Sequence, residues 1–225
     1  MTTLLALDTA TEACSVALLH AGRVTSRYEV IPRLHAKRLL PMVRELLDEA
    51  GVPLTAVDAI AFGRGPGAFT GVRIAVGVVQ GLAFALERPV LPISTLAVLA
   101  QRALREHGAR QVAAAIDARM DELYWGCFVE REGEMGLAGL EAVLPPEHVT
   151  LPRASAGEWF GAGTGWGLAS RIPVSVQGSD ASMLPHAEDL LTLARFAWAR
   201  GEALEADQAQ PVYLRDNVAT VKQQK

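Results

Sequence analysis

The longest apolar stretch of the chain, GPGAFTGVRIAVGVVQGLAFAL from Gly65 to Leu86, predicts a helix opened by a Gly/Pro loop. Arg73 and Gln80 interrupt it before Glu87, and their seven-residue spacing makes one narrow stripe on a helix. A surface helix shows water a broad polar side, and this one has none to show. The pattern therefore predicts cover on two sides, by its own sheet and by a partner surface. With Arg73 as reference, Val76, Gly77, Gln80 and Phe84 share its side and read as a docking face. Ala75, Val78, Leu82 and Leu86 lie opposite and read as the core face. The alternative is a helix buried wholly within one subunit.

The remaining pattern alternates strands and helices. Leu4–Leu7 is apolar and ends in the polar cluster Asp8-Thr9-Ala10-Thr11. Cys14–Leu19 and Val24–Val30 follow as strands on either side of an Ala21-Gly22 turn, giving an antiparallel meander. Apolar residues at 3–4 spacing predict a helix over 34–50, stopped by Gly51 and kinked or restarted at Pro41. Strands are predicted over Val57–Phe62 and Val90–Ile93, the latter followed by a helix capped by Ser94 or Thr95 and running to about Glu106. Strands over Val112–Ile116 and Leu123–Val129 begin a second block. Ala114-Ala115-Ile116-Asp117 resembles Leu5-Ala6-Leu7-Asp8, which suggests a duplicated domain whose halves each start with a hairpin. Pro145–Arg153 is a Pro-rich connection, Trp159–Trp166 a strand end with a Gly-rich turn, and Ala187–Arg200 the last helix. Pro211–Arg215 reads as extended, and the tail Lys222–Lys225 is expected to fray.

Length, 225 residues, allows one large domain or two small ones. Half the residues are hydrophobic and a fifth charged, a globular mix. A net charge of −4 and a pI near 5.8 argue against a broad nucleic-acid-binding face. Cys14 and Cys127 form no CxxC pair and no zinc spacing, and read as buried thiols. The chain starts with strand rather than a basic and apolar leader, and Arg73 and the glycines break the one long apolar run. The expected compartment is the cytoplasm, with no membrane contact.

Candidate chemistry is sparse. Asp8, Thr9 and Thr11 either hold a nucleotide phosphate, with Asp8 near magnesium, or simply close a hairpin by an Asx or Thr turn. Gly65–Gly67 with Thr70 is either an anion site before a helix or a tight bend with Thr70 as N-cap. Gly161–Gly165 either lets backbone approach an adenosine or is a plain turn. His35 reads as a solvated residue at a helix start, His186 precedes a helix alone, and His20, His107 and His148 are scattered. Asp117, Arg119, Asp121 and Glu122 fit a polar hairpin turn. No catalytic residue and no metal ligand set is predicted.

Taken together, LALDTATEACSVAL, HAKRLLPMVRELL, GRGPGAFTGVRIAVGVVQGLA, IDARMDELYWG, GAGTGW and PVYLR resemble, in order and over nearly the whole chain, the bacterial TsaB family, also called YeaZ. GPGAFTGVR is the most specific piece. The resemblance implies an α/β, actin-like ATPase (ASKHA, ribonuclease H-like) fold, duplicated in two subdomains, placed here at 1–105 and 106–225. It implies a non-catalytic subunit in the synthesis of threonylcarbamoyladenosine in tRNA, with transfer chemistry in a TsaD paralogue and a TsaE ATPase as third member. TsaD-like proteins carry two metal-binding His on a helix where this chain has Thr95 and Leu99, which cannot ligate the metal. The expected interface is Ala36, Leu39, Leu40, Val43 and Leu47 on one helix and Arg73, Val76, Gly77, Gln80 and Phe84 on the next, used also for homodimerisation. Contact with tRNA is expected through the complex, and any ATP or ADP contact is expected to be weak or shared. The alternative is a small-molecule kinase of the actin-like class, with Asp8 and Asp117 as its only carboxylates.

Overall fold

In the computed structural model, residues 2–152 and 158–215 are described; the tail Lys222–Lys225 and Arg153 lie outside them. β1 (Leu4–Asp8), β2 (Ala13–His20) and β3 (Arg23–Val30) form the predicted meander, and α1 (His35–Ala50) follows. Pro41 neither ends nor restarts α1, which is continuous to Gly51 at φ +64°. β4 (Ala59–Gly63), α2 (Phe69–Leu86), β5 (Val90–Ile93) and α3 (Thr95–His107) complete the first half. Ser94 caps α3 by accepting from the amides of Leu96 and Ala97. Ala68, not Thr70, occupies the N-cap of α2, and no side chain caps it.

The second half adds β6 (Gln111–Asp117), β7 (Leu123–Arg131), β8 (Glu134–Leu137), β9 (Ala142–Leu144), β10 (Phe160–Ala162), β11 (Gly178–Asp180) and α4 (Ala187–Ala199). Its sheet reads β8-β7-β6-β10-β11, and the first reads β3-β2-β1-β4-β5. β1 pairs antiparallel with β2 and parallel with β4, and β6 pairs in the same way with β7 and β10. The halves are duplicates of one actin-like unit, and Asp8 and Asp117 end equivalent strands.

Strand alternation sorts the layers. Leu5, Leu7, Val16, Leu18, Ile60 and Phe62 point to α1 and α2, whereas Leu4, Ala6, Ala17, Ala59 and Ala61 point to α4. The small side chains on the second face let α4 pack closely. α3 lies against the second sheet, and α3 and α4 pack on each other between the sheets. The last helix thus returns to the first sheet. The far face of the second sheet is closed by Trp125, Trp159 and Trp166.

Candidate functional site

Two turns face each other at matching ends of the duplicated sheets, one after β1 and one after β6. Between them lies a cleft of about 660 Å³. Of the predicted nucleotide-binding trio, only Thr11 lines it. Asp8 and Thr9 are fully buried and do not reach the cleft. The Thr9 hydroxyl donates to the Gly71 carbonyl at 2.7 Å, and the Ala68 amide donates to the Ala10 carbonyl at 2.7 Å. A Cβ on Gly71 would sit 2.1 Å from the Thr9 carbonyl oxygen, and one on Gly67 2.3 Å from that of Ala10. The Gly-rich loop and the start of α2 are therefore clamped over the first turn.

Asp8 accepts from the Ala10 amide through Oδ1, while its Oδ2 is buried without a hydrogen-bond partner. Burial pushes the carboxyl up to about 7, partly opposed by the Ala10 hydrogen bond. Thr95 and Leu99 are fully buried, Leu99 within the apolar core of the second half. The glycines of GAGTGW are also used internally. A Cβ on Gly161 would meet the Trp166 ring at 2.4 Å, and one on Gly163 the Ala115 carbonyl at 2.4 Å. Trp166 Nε1 donates to the Ala113 carbonyl. Close packing by the protein itself accounts for this segment, which runs from β10 into 3-10 turns over Thr164–Arg171 rather than a plain turn.

The second turn holds Arg119, Met120 and Asp121 consecutively in the left-handed region, at φ +62°, +56° and +60°. Arg119 reaches Asp117 at 3.3 Å and, across the cleft, Glu12 at 3.9 Å. Residues 211–215 strap the mouth. The Val212 amide donates to the Arg64 carbonyl, Tyr213 lies beside Phe69, and Arg215 donates to the Ala118 carbonyl and pairs with Glu122.

The predicted interface splits. Ala36, Leu40, Arg73, Gly77 and Phe84 are exposed, Phe84 at 76%. Leu39, Val43, Leu47 and Val76 are buried in the first core, so they cannot serve as contact residues. On α1 the 3–4 apolar stripe that predicted the helix faces the sheet. On α2 the turn Ala206–Gln208 and buried Ala209 cover the Val76 flank, and Gln80 donates to the Ala209 carbonyl at 2.7 Å. That cover comes from 130 residues away in sequence, roughly, and leaves no mark on the helix pattern. The core face is Val72, Ala75, Val76, Val79 and Ala83, while Val78, Leu82 and Leu86 are half-buried. Sequence reasoning missed Phe69, Gly81 and Ala85, which extend the exposed side; Gly81 lies four residues after Gly77, a signal that was available. By length and composition α2 alone qualifies as a membrane span among the described residues; its buried side packs in the first core.

Of the histidines, His35 departs from its solvated reading, while His186 stands directly before α4 as expected. His35 is buried, with Nε2 lacking a partner, because the start of α1 turns it inward. His186 caps α4 by accepting from the Glu188 amide and stacks on Tyr28. Burial, with Arg102 and Arg105 nearby, lowers its pKa to about 4. Among the described residues no three His, Cys, Asp or Glu side chains gather as a metal-sized group.

The sequence model of the TsaD family, tRNA N6-adenosine threonylcarbamoyltransferase, matches residues 28–223. The chain is 46% identical to the tRNA threonylcarbamoyladenosine biosynthesis protein TsaB of Escherichia coli (strain K12), covering 97% of each chain. The chain belongs to the TsaB (YeaZ) family. The protein of the same description from Haemophilus influenzae is 43% identical over 98% of this chain and 96% of its own. A structure of YeaZ from Pseudomonas aeruginosa superposes with a TM-score of 0.93 at 75% identity, covering 95% of this chain and all of that one. The TsaD model begins after the first turn and covers the Gly-rich loop and α2, so those two elements are common to both families.

Proposed function

We propose that this chain is the non-catalytic accessory subunit of the assembly that makes threonylcarbamoyladenosine in tRNA. The group passes from threonylcarbamoyl-AMP to the adenosine 3′ of the anticodon in tRNAs reading A-starting codons. A TsaD-like paralogue carries the transfer, and a TsaE-like ATPase is the third member. The assembly works in the cytoplasm and reaches tRNA through the other subunits. The observation that carries this reading is the clamp of Gly67 and Gly71 on the carbonyls of Ala10 and Thr9. With the first turn occupied by the protein's own backbone, nucleotide phosphates have no route to Asp8. The same clamp argues against the kinase alternative, and any ATP or ADP contact is weak or shared.

The docking face is the exposed side of α2, Phe69, Arg73, Gly77, Gly81 and Phe84, with Ala36 and Leu40 of α1 beside it. Exposed glycines in mid-helix allow a partner helix to approach closely, and Phe84 offers an apolar anchor. Paired helices from two such faces make a four-helix contact. The same face serves a homodimer when the paralogue is absent. Depletion of the protein followed by nucleoside analysis of bulk tRNA tests the pathway: threonylcarbamoyladenosine falls, and an undiminished level refutes the assignment. Co-purification with the TsaD-like protein tests the partner separately.

A further inference from the structure

The charges that line the cleft are unevenly matched. Arg119 is held by Asp117 and Glu12, and Arg215 by Glu122. Arg73 has no ion pair among the described residues. Its guanidinium carbon lies 3.2 Å from the centroid of the Phe69 ring and 4.8 Å from that of Tyr213. One N–H is used, donated to the Phe69 carbonyl at 3.3 Å. A guanidinium fixed against aromatic faces is pre-organised, and its remaining in-plane donors match the paired oxygens of a carboxylate or phosphoryl group. Two carboxylates, Glu12 and Asp117, also line the cleft, and both lie within 3.9 Å of Arg119, which offsets their charge. Gly67, Ala68 and Phe69 line the cleft, so the uncapped positive end of α2 lies beside Arg73.

We propose that this cleft is a receptor for an oxyanion, phosphoryl or carboxylate, carried by a small molecule, with Arg73 as its principal ligand. The site is separate from the sealed turn at Asp8 and Thr9, and it does not rest on the accessory role above. A small molecule is favoured over a partner's side chain because Arg73 forms part of a concave wall. The cleft volume falls within the range of small-molecule sites. Phe69 and Tyr213 act as positioning residues that hold the guanidinium plane.

Calorimetric titration of the isolated full-length chain at low salt tests this, with inorganic pyrophosphate as the phosphoryl probe and citrate as the carboxylate probe. Saturable 1:1 binding of at least one probe is expected. Arg73→Met should weaken it about tenfold or more, the scale of a lost charge-assisted pair, without lowering the melting temperature. Tyr213→Leu should weaken it less. Pyrophosphate binding alone marks a phosphoryl ligand, and citrate binding alone marks a carboxylate. Absence of saturable binding by both probes overturns the proposal, as does binding that Arg73→Met leaves unchanged. Loss of partner association in Arg73→Met, with no binding of either probe by the parent chain, also overturns the proposal and leaves Arg73 with its docking role alone.

Discussion

Thr9 and Gly71 are 62 residues apart, yet the Thr9 hydroxyl donates to the Gly71 carbonyl at 2.7 Å while the Thr9 carbonyl leaves no room for a Cβ on Gly71. This reciprocal contact fixes the start of α2 on the first turn. Gly71→Ala should therefore destabilise the chain by about 1–3 kcal/mol, the usual cost of overpacking a tight site. Thr9→Val keeps the shape and leaves the Gly71 carbonyl without that donor, costing about 1–3 kcal/mol. Urea denaturation of both variants checks this. Parent-like midpoints would remove the clamp as a structural feature.

Gly77 and Gly81 behave oppositely. Both are exposed within α2, and a Cβ on either meets nothing within 4 Å. Each Gly in a helix interior costs about 0.5–1 kcal/mol relative to Ala. Gly77→Ala and Gly81→Ala should each stabilise the isolated chain by roughly that amount and weaken association with the TsaD-like partner. A variant that is more stable and binds equally well would show that close helix approach is not needed at that position. Thermal unfolding and pull-down measure the two effects independently.

Asp8 gives the chain a distinctive pH response. Its carboxyl titrates near 7 when folded, against an ordinary 3.8. Between those values the folded chain holds a proton that the unfolded chain has released. Stability therefore falls as pH rises from about 4 to about 7, then stays level with respect to this group. Asp8→Asn is neutral throughout, and its Oδ1 can still accept from the Ala10 amide. Relative to parent, the variant should gain a few kcal/mol between pH 5 and pH 8. Glu141 and Asp189, also raised by burial, contribute to both curves and cancel in the comparison. Parallel curves would show that Asp8 is ionised in the folded chain.

Arg105 and Asp189 tie α3 to α4 through two 2.8 Å hydrogen bonds, with the Asp189 side chain only 1% exposed. Arg105→Met strands that carboxylate. A broken buried pair costs about 3–5 kcal/mol, and the partial exposure of Arg105 places this one at the lower end. Arg105→Met with Asp189→Asn should recover part of the loss. Equal destabilisation by the single and double variants would exclude an electrostatic origin.

The elements and the duplication were legible because they rest on local signals. Alternation marked the strands, Gly51 marked the end of α1, and Asp8 and Asp117 marked equivalent strand ends. β8, β9 and β11 escaped notice because they are three or four residues long and, unlike the apolar Val90–Ile93, mostly half-buried or exposed. The site was less legible. The sequence of the first turn cannot show that Gly67 and Gly71 sit on it, and GAGTGW cannot show that Trp166 folds over its own glycine. The cleft joins Thr11, Arg73, Arg119 and Arg215, which no local motif relates. The α2 faces were misplaced by part of a turn because residues 204–209 cover one flank.

The corrected α2 phase separates two substitutions that the sequence pattern treated as equivalent. Phe84 is 76% exposed and Val76 is 5% exposed within the first core. Phe84→Asp removes an apolar anchor from the surface and adds a charge that solvent readily accepts. The isolated chain should keep its circular dichroism spectrum and its melting temperature within a few degrees, and lose co-purification with the TsaD-like partner. Val76→Glu forces a carboxylate into packed apolar surroundings, at a cost of several kcal/mol, and should unfold the chain outright. Association is then lost for a different reason, visible in the spectrum of the isolated variant. Size-exclusion chromatography of folded Phe84→Asp with the partner decides the matter. An intact complex removes Phe84 from the docking face, while a folded Val76→Glu that fails to associate would restore the face that the sequence alone suggested.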